Sequence, residues 1–181
     1  MGKFQIGTEF TISPGNIKAR LRKINNNRLV KQAHAGDYIS FDVTSESLED
    51  IKRGMVAGLS LEQPPIEAET FEAKILIVND SREDIKIGYK PVVHCHSTHI
   101  PCEFVELKER IDAKTGKIIE KNPSSLKPVC GAVVVLKPTK PMCVETFKFK
   151  NKLGSVVITD QEKTIVAVGA ITNVKHKESS I

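Results

Sequence analysis

The chain has no tryptophan, and Phe and Tyr together bring aromatics to only 5% of its 181 residues. Any core must therefore be assembled from Val, Ile, Leu and Ala. No apolar run approaches the roughly 18–20 residues of a helical membrane span. The opening stretch MGKFQIGTEF has no hydrophobic signal core, and Ile6 stands where N-myristoylation wants Ser or Thr. No membrane partner is expected. Four cysteines do not resemble a secreted disulfide scaffold, so reduced thiols and a cytoplasmic location are expected. Phosphate-binding loops are missing as well: neither a Walker-type GxxxxGK followed by Ser or Thr nor a GxGxxG occurs. Lys114-Thr115-Gly116-Lys117 lacks the preceding loop glycine. Nucleotide hydrolysis by this chain is not expected, nor a cofactor.

What is present is charge and alternation. There are 27 Lys and Arg against 22 Asp and Glu, a formal net charge of +5, which favours an acidic or nucleic-acid partner. The distribution is uneven. From Phe10 to Gly36 there are six bases and no acid, whereas Asp37 to Glu72 holds nine acids and two bases. Within Asn16–Lys23, Ile17, Ala19 and Leu21 fall on one face and Lys18, Arg20 and Arg22 on the other, the signature of a half-buried strand with a basic outer face. Asn25-Asn26-Asn27 and Ala35-Gly36-Asp37 read as turns, with a strand over Tyr38–Val43. Ser47 to Gly54 reads as one helical turn capped by Ser47. Met55–Leu59 is a short strand, and Pro64-Pro65 breaks the chain.

Further strands are expected over Phe71–Val78, Pro91–His96, Ile100–Arg110, Cys130–Lys137, Met142–Phe147, Leu153–Thr159 and Thr164–Val174. A turn falls at Asn79-Asp80-Ser81, and Asp112–Pro128 reads as a charged loop. Many short strands with almost no helix specify an all-β protein. Two modules fit better than one sheet, over residues 1–67 and 68–181.

Ile87 to Leu107, IGYKPVVHCHSTHIPCEFVEL, concentrates three of the five histidines and two of the four cysteines. It admits a metal site, a thiol–imidazole site or plain barrel strands. Zinc wants four converging ligands, but no second pair of ligand spacing accompanies these residues. On a strand His94 and His96 would share one face and Cys95 the other. Buried cysteines beside strand histidines are the preferred reading, and no metal is expected. A second basic run, Lys137 to Lys152, interleaves Phe147 and Phe149 with Lys148, Lys150 and Lys152, a pattern suited either to a phosphate backbone or to a solvated strand edge.

The stretches Gly88-Tyr89-Lys90-Pro91-Val92, Cys95-His96, His99-Ile100, Thr115-Gly116-Lys117, Lys140-Pro141-Met142-Cys143-Val144-Glu145-Thr146-Phe147 and Thr164 to Gly169 together resemble eukaryotic elongation factor 1-alpha. The likeness covers Phe71 to about His176 and implies the third domain of that factor, a β-barrel. Ala35-Gly36-Asp37 and Asp50 to Gly54 resemble the later part of its second domain, also a barrel. Gly7-Thr8-Glu9-Phe10 already aligns with the interior of that domain, so the first barrel is expected to be incomplete and the GTPase domain to lie outside this chain.

The resemblance implies a non-catalytic module that binds aminoacyl-tRNA, the ribosome or a translation-factor protein. Candidate RNA contacts are Lys18, Arg20, Arg22, Lys23, Arg28 and Lys31 in the first module, and Lys150, Lys152 and Lys163 in the second. The chain departs from the family pattern at several positions. Lys23 or Ile24 stands where the family has a Glu that helps hold the terminal adenosine. Tyr38 replaces an Asn of the amino-acid pocket, Ser155 and Thr159 replace arginines, and His94 replaces an Asp. These changes motivate a second expectation: an interaction or scaffolding module that has lost tRNA.

Overall fold

The computed structural model describes residues 3–26, 28–45, 47–59, 65–78, 84–148 and 151–177. It separates into two compact units, Met1–Ile66 and Glu67–Ile181. Both are built almost wholly of β-strands, the all-β architecture that the alternation specifies.

The first unit is a curled half-barrel. Its strands are β1 (Lys3–Gln5), β2 (Glu9–Ser13), β3 (Ile17–Asn25), β4 (Leu29–Val30), β5 (Gln32–His34), β6 (Ser40–Thr44) and β7 (Val56–Leu59). Five of them form a sheet ordered β4-β3-β2-β7 with β6 also paired to β3, while β1 pairs β5. The β2–β3 hairpin turns at Gly15 and Asn16, both left-handed at φ 102° and 52°, conformations that Gly and Asn tolerate best. Ile17, Ala19, Leu21 and Ile24 point inward from β3. Phe4, Phe10 and Phe41 form a mutual edge-to-face triad, with ring separations of 5.2, 5.7 and 6.1 Å.

The second unit closes. Its strands are β8 (Ala68–Ile77), β9 (Val92–Cys95), β10 (Thr98–Ile111), β11 (Ile118–Lys121), β12 (Gly131–Pro138), β13 (Ser155–Thr159) and β14 (Ile165–His176). The sheet runs β11-β10-β12-β8-β14-β13-β9, and β9 returns to pair β10. Six strands therefore form a ring, and β11 hangs outside it on β10. Full closure removes the ring's sheet edges. Phe71, Phe104, Leu136, Ile158 and Ile171 fill the interior, each at most 1% exposed. Gly169 of β14 lets β8 come close: a Cβ there would overlap the Lys74 carbonyl oxygen and stand 2.9 Å from the Ile75 Cα.

Several local expectations are corrected. Met142 to Phe147 is not a strand. Its backbone bonds scatter: Met142 O accepts from Ala68, Glu145 N donates to Leu153, and Phe147 N donates to Ile171, so three neighbours hold one extended segment and no ladder forms. The 112–128 loop contains strand β11, whose four residues are all exposed. The helical turn near residue 50 is a short 3-10 turn over Leu48–Asp50, and Ser47 makes no side-chain cap. A four-residue helix, α1 (Asn151–Gly154), precedes β13, where Leu153 had been expected to begin the strand. Asn79-Asp80-Ser81 lies outside the described residues.

Candidate nucleic-acid interface

The basic face on β3 comes from strand alternation and one irregularity. Lys18, Arg20 and Arg22 alternate outward from Ile17, Ala19 and Leu21, about 7 Å apart at two-residue spacing. Between Leu21 and Lys23 the pairing with β6 slips by one residue. Arg22 and Lys23 therefore both face solvent, and Ile24 regains the core. A bulge thus adds one cation to the outer face.

The flanks are mixed. Arg20 lies opposite Glu9 on β2 and Thr44 on β6, and its Nε donates to the Gly7 carbonyl at 3.3 Å. Lys23 Nζ stands 3.9 Å from Asp42, with both side chains 67% exposed, a pair that water screens heavily. Arg28 and Lys31 are exposed on either side of β4. Val30 pairs Ile24, which brings Lys31 to the level of Lys23 along β3. Four cations therefore line the outer face of β3 and two flank β4, with Glu9 and Asp42 bordering them.

The second unit does not gather its candidates. Lys152 lies in α1 and Lys163 in the turn after β13, so the strand Ser155–Thr159 separates them, a span of roughly 13–17 Å. Lys163 is left-handed at φ 65°, in a turn where Asp160 Oδ1 accepts from the Thr164 amide at 2.8 Å. Lys150 lies outside the described residues. The expectation that Lys148, Lys150 and Lys152 share one strand face is corrected to the extent described: Lys152 is helical and Lys148 sits in a turn.

The histidine-rich stretch is rearranged relative to its sequence reading. Strand β9 stops at Cys95, and His96 turns left-handed at φ 54°, so His94 and His96 do not share a strand face. His94 pairs across the ladder with His99 instead. Their Nδ1 atoms are 2.7 Å apart, and His94 Nε2 lies 2.8 Å from Thr159 Oγ1 on β13. Burial first, and the neighbouring His99 second, hold His94 below the ordinary imidazole range. Cys95 faces the core, where its Sγ donates to the Leu153 carbonyl at 3.2 Å. Burial pushes its thiol up to about 11 and that of Cys102 to about 12, the reverse of what a thiolate nucleophile needs. Among the described residues no three His, Cys, Asp or Glu side chains converge as a ligand set.

Sequence reasoning also missed a polar tie across three strands. Lys108 on β10 reaches over β12 to Glu72 on β8 at 2.6 Å, and the Thr172 hydroxyl on β14 donates to the same carboxylate at 2.9 Å. The Lys108 hydrogen bond holds Glu72 below the usual carboxylate value. Its only signal is the strand order itself, which no spacing in the chain reveals.

The family model described as GTP-eEF1A C-terminal domain-like matches residues 70–172. The chain belongs to this family. It is 39% identical over 180 residues to elongation factor 1-alpha, oocyte form, of Xenopus laevis, and 39% identical over 178 residues to elongation factor 1-alpha of Onchocerca volvulus. Those alignments take in 99% and 98% of this chain but 39% and 38% of the relatives, so the chain spans about two fifths of their length. The fold is that of sup35 complexed with GDP, with a TM-score of 0.87, 23% identity and coverage of 96% of this chain and 42% of that one. As a member of the GTP-eEF1A C-terminal domain-like family, the chain is a translation elongation factor-like module. None of its described helices is long and apolar enough to cross a membrane.

Proposed function

We propose that this chain is a non-catalytic RNA-binding module of the translation machinery, with the outer face of β3 as its grip on the phosphate backbone of tRNA. The observation that carries this reading is the exposed row Lys18, Arg20, Arg22 and Lys23, with Arg28 and Lys31 on the adjoining β4 segment. Phosphate contacts of this kind position a nucleic acid without reading its bases, which suits a factor that must accept many tRNA sequences. Lys152 and Lys163 act, on this reading, as separate peripheral contacts.

The test is the salt dependence of tRNA binding by the whole chain. With four to six phosphates neutralised, affinity falls by roughly two to three decades from 50 to 200 mM salt. Reversing Lys18, Arg20 and Arg22 to Glu flattens that slope. Undetectable binding at low salt, or a slope unchanged by the reversals, refutes the reading.

A second reading is supported by Tyr38, whose ring is 98% exposed, and by the acids beside the basic row. An exposed aromatic suits a protein partner better than a phosphate. Stoichiometric capture of one translation-factor protein without RNA, abolished by Tyr38→Ser, would establish the scaffolding role instead.

A further inference from the structure

We propose that His94 and His99 form a two-imidazole chelate for a divalent transition metal of the nickel and copper class. The two residues are partners across the β9–β10 ladder, so strand pairing brings them side by side. Their Nδ1 atoms are hydrogen-bonded to one another at 2.7 Å, so one ring holds a proton between them. At metal–nitrogen bonds of about 2.0 Å, two ligands at a cis right angle stand about 2.8 Å apart, and two tetrahedral ligands about 3.3 Å apart. A metal taking the place of the proton between the rings needs little change of spacing for a cis pair and more for a tetrahedral one, which favours the tetragonal arrangement of nickel and copper over zinc.

A second, independent observation lies behind His94. Its Nε2 is 2.8 Å from the Thr159 hydroxyl on β13. When Nε2–H donates to that oxygen, the ring proton is fixed on Nε2 and the Nδ1 lone pair is left for the metal, the arrangement by which outer partners orient ligating histidines. The proton held between the rings then belongs to Nδ1 of His99, and it moves to the Nε2 of that ring or to solvent as the metal takes its place. Competing soft donors are withdrawn: Cys95 points to the opposite side of β9 and donates to the Leu153 carbonyl, and Cys102 is fully buried. With no third protein ligand among the described residues, the remaining positions fall to water or to donors brought by a partner.

Calorimetric titration of the whole chain with Ni2+ tests this. One site per chain is expected, tighter for Ni2+ than for Zn2+. His94→Ala and His99→Ala each weaken it tenfold or more, and Thr159→Val weakens it about tenfold at unchanged stoichiometry. His34→Ala, in the other unit, leaves it unchanged. Absence of saturable binding, or full affinity in either His94→Ala or His99→Ala, overturns the proposal. Should those variants fail to fold, the unaltered chain decides by NMR. Ni2+ must broaden the ring resonances of His94 and His99 at lower metal than those of His34, and equal broadening of all three counts against the site.

Discussion

The half-barrel and the closed barrel are made of the same kind of strand and solve the same problem to different degrees. In the closed unit every ring strand has two neighbours, and the apolar faces of all six converge on one interior. In the half-barrel, β4 and β7 end the sheet path, and the core shrinks to a small group around Phe10, Leu21 and Ile24. Partly buried Phe4, Val30, Ile39, Val43, Ile51 and Met55 pack against that group. Closure therefore concentrates burial, and burial is the main source of stability. The open sheet presents more of its surface, and it is the open sheet that carries the assembled basic row. The lesson is a division of labour: the unit with the smaller core carries the assembled basic row.

The sharpest way to break this comparison is to remove one aromatic from each interior. Phe104→Ala and Phe10→Ala each should cost about 3–5 kcal/mol. Read strand by strand by amide hydrogen exchange, the Phe10 change is expected to abolish protection in β2 and β3 while β8 and β14 keep theirs. Simultaneous loss in both units would show that their stabilities are not separable. Next in size is Gly169→Ala, where the overlap with the Lys74 carbonyl is with rigid backbone. A loss of about 1–3 kcal/mol, seen as a lower urea midpoint for the closed unit, is expected.

A smaller effect concerns the Lys108–Glu72–Thr172 tie. Glu72 titrates below its ordinary 4.5 in the folded state, so its contribution is complete above that value and is lost as pH falls through the folded pKa. Lys108 is raised above 10.5, so its share is complete below that value and is lost as pH rises through the folded pKa. Lys108→Met should therefore flatten the acid-side decline in stability of the closed unit below about pH 4.5. An acid limb identical to that of the unaltered chain would remove the tie from the account. The smallest change is Asp42→Asn, which removes an exposed partner of Lys23. Stability should move by no more than about 0.5 kcal/mol, while tRNA affinity rises slightly on the proposed reading.

Much of this architecture is readable where a single physical rule dominates. The period-two burial of Ile17, Ala19 and Leu21 places β3 and its charged face without further information, and the strand content follows from similar alternation elsewhere. The misses arise where position depends on partners remote in the chain. Met142, Cys143 and Val144 are buried in succession, and their segment is held by three different neighbours. Ile118 and Ile119 belong to a strand whose both faces are wet, so no pattern announces it. The extra outward cation at Lys23 comes from a slip in pairing with β6. The His94–His99 pair depends on His96 adopting a left-handed turn, an uncommon conformation for a non-glycine residue.

The outlying hairpin from Asp112 to Lys121 has a practical consequence. Its turn is held locally, because Asp112 Oδ1 accepts from the Lys114 and Thr115 amides and from the Thr115 hydroxyl. Strand β11 contributes nothing to the ring of six. Foreign sequence spliced in at Gly116 would hang from the far side of β10 and leave each rung of the cylinder intact. That makes this tip the natural place to carry an epitope, a fluorophore or a crosslinker.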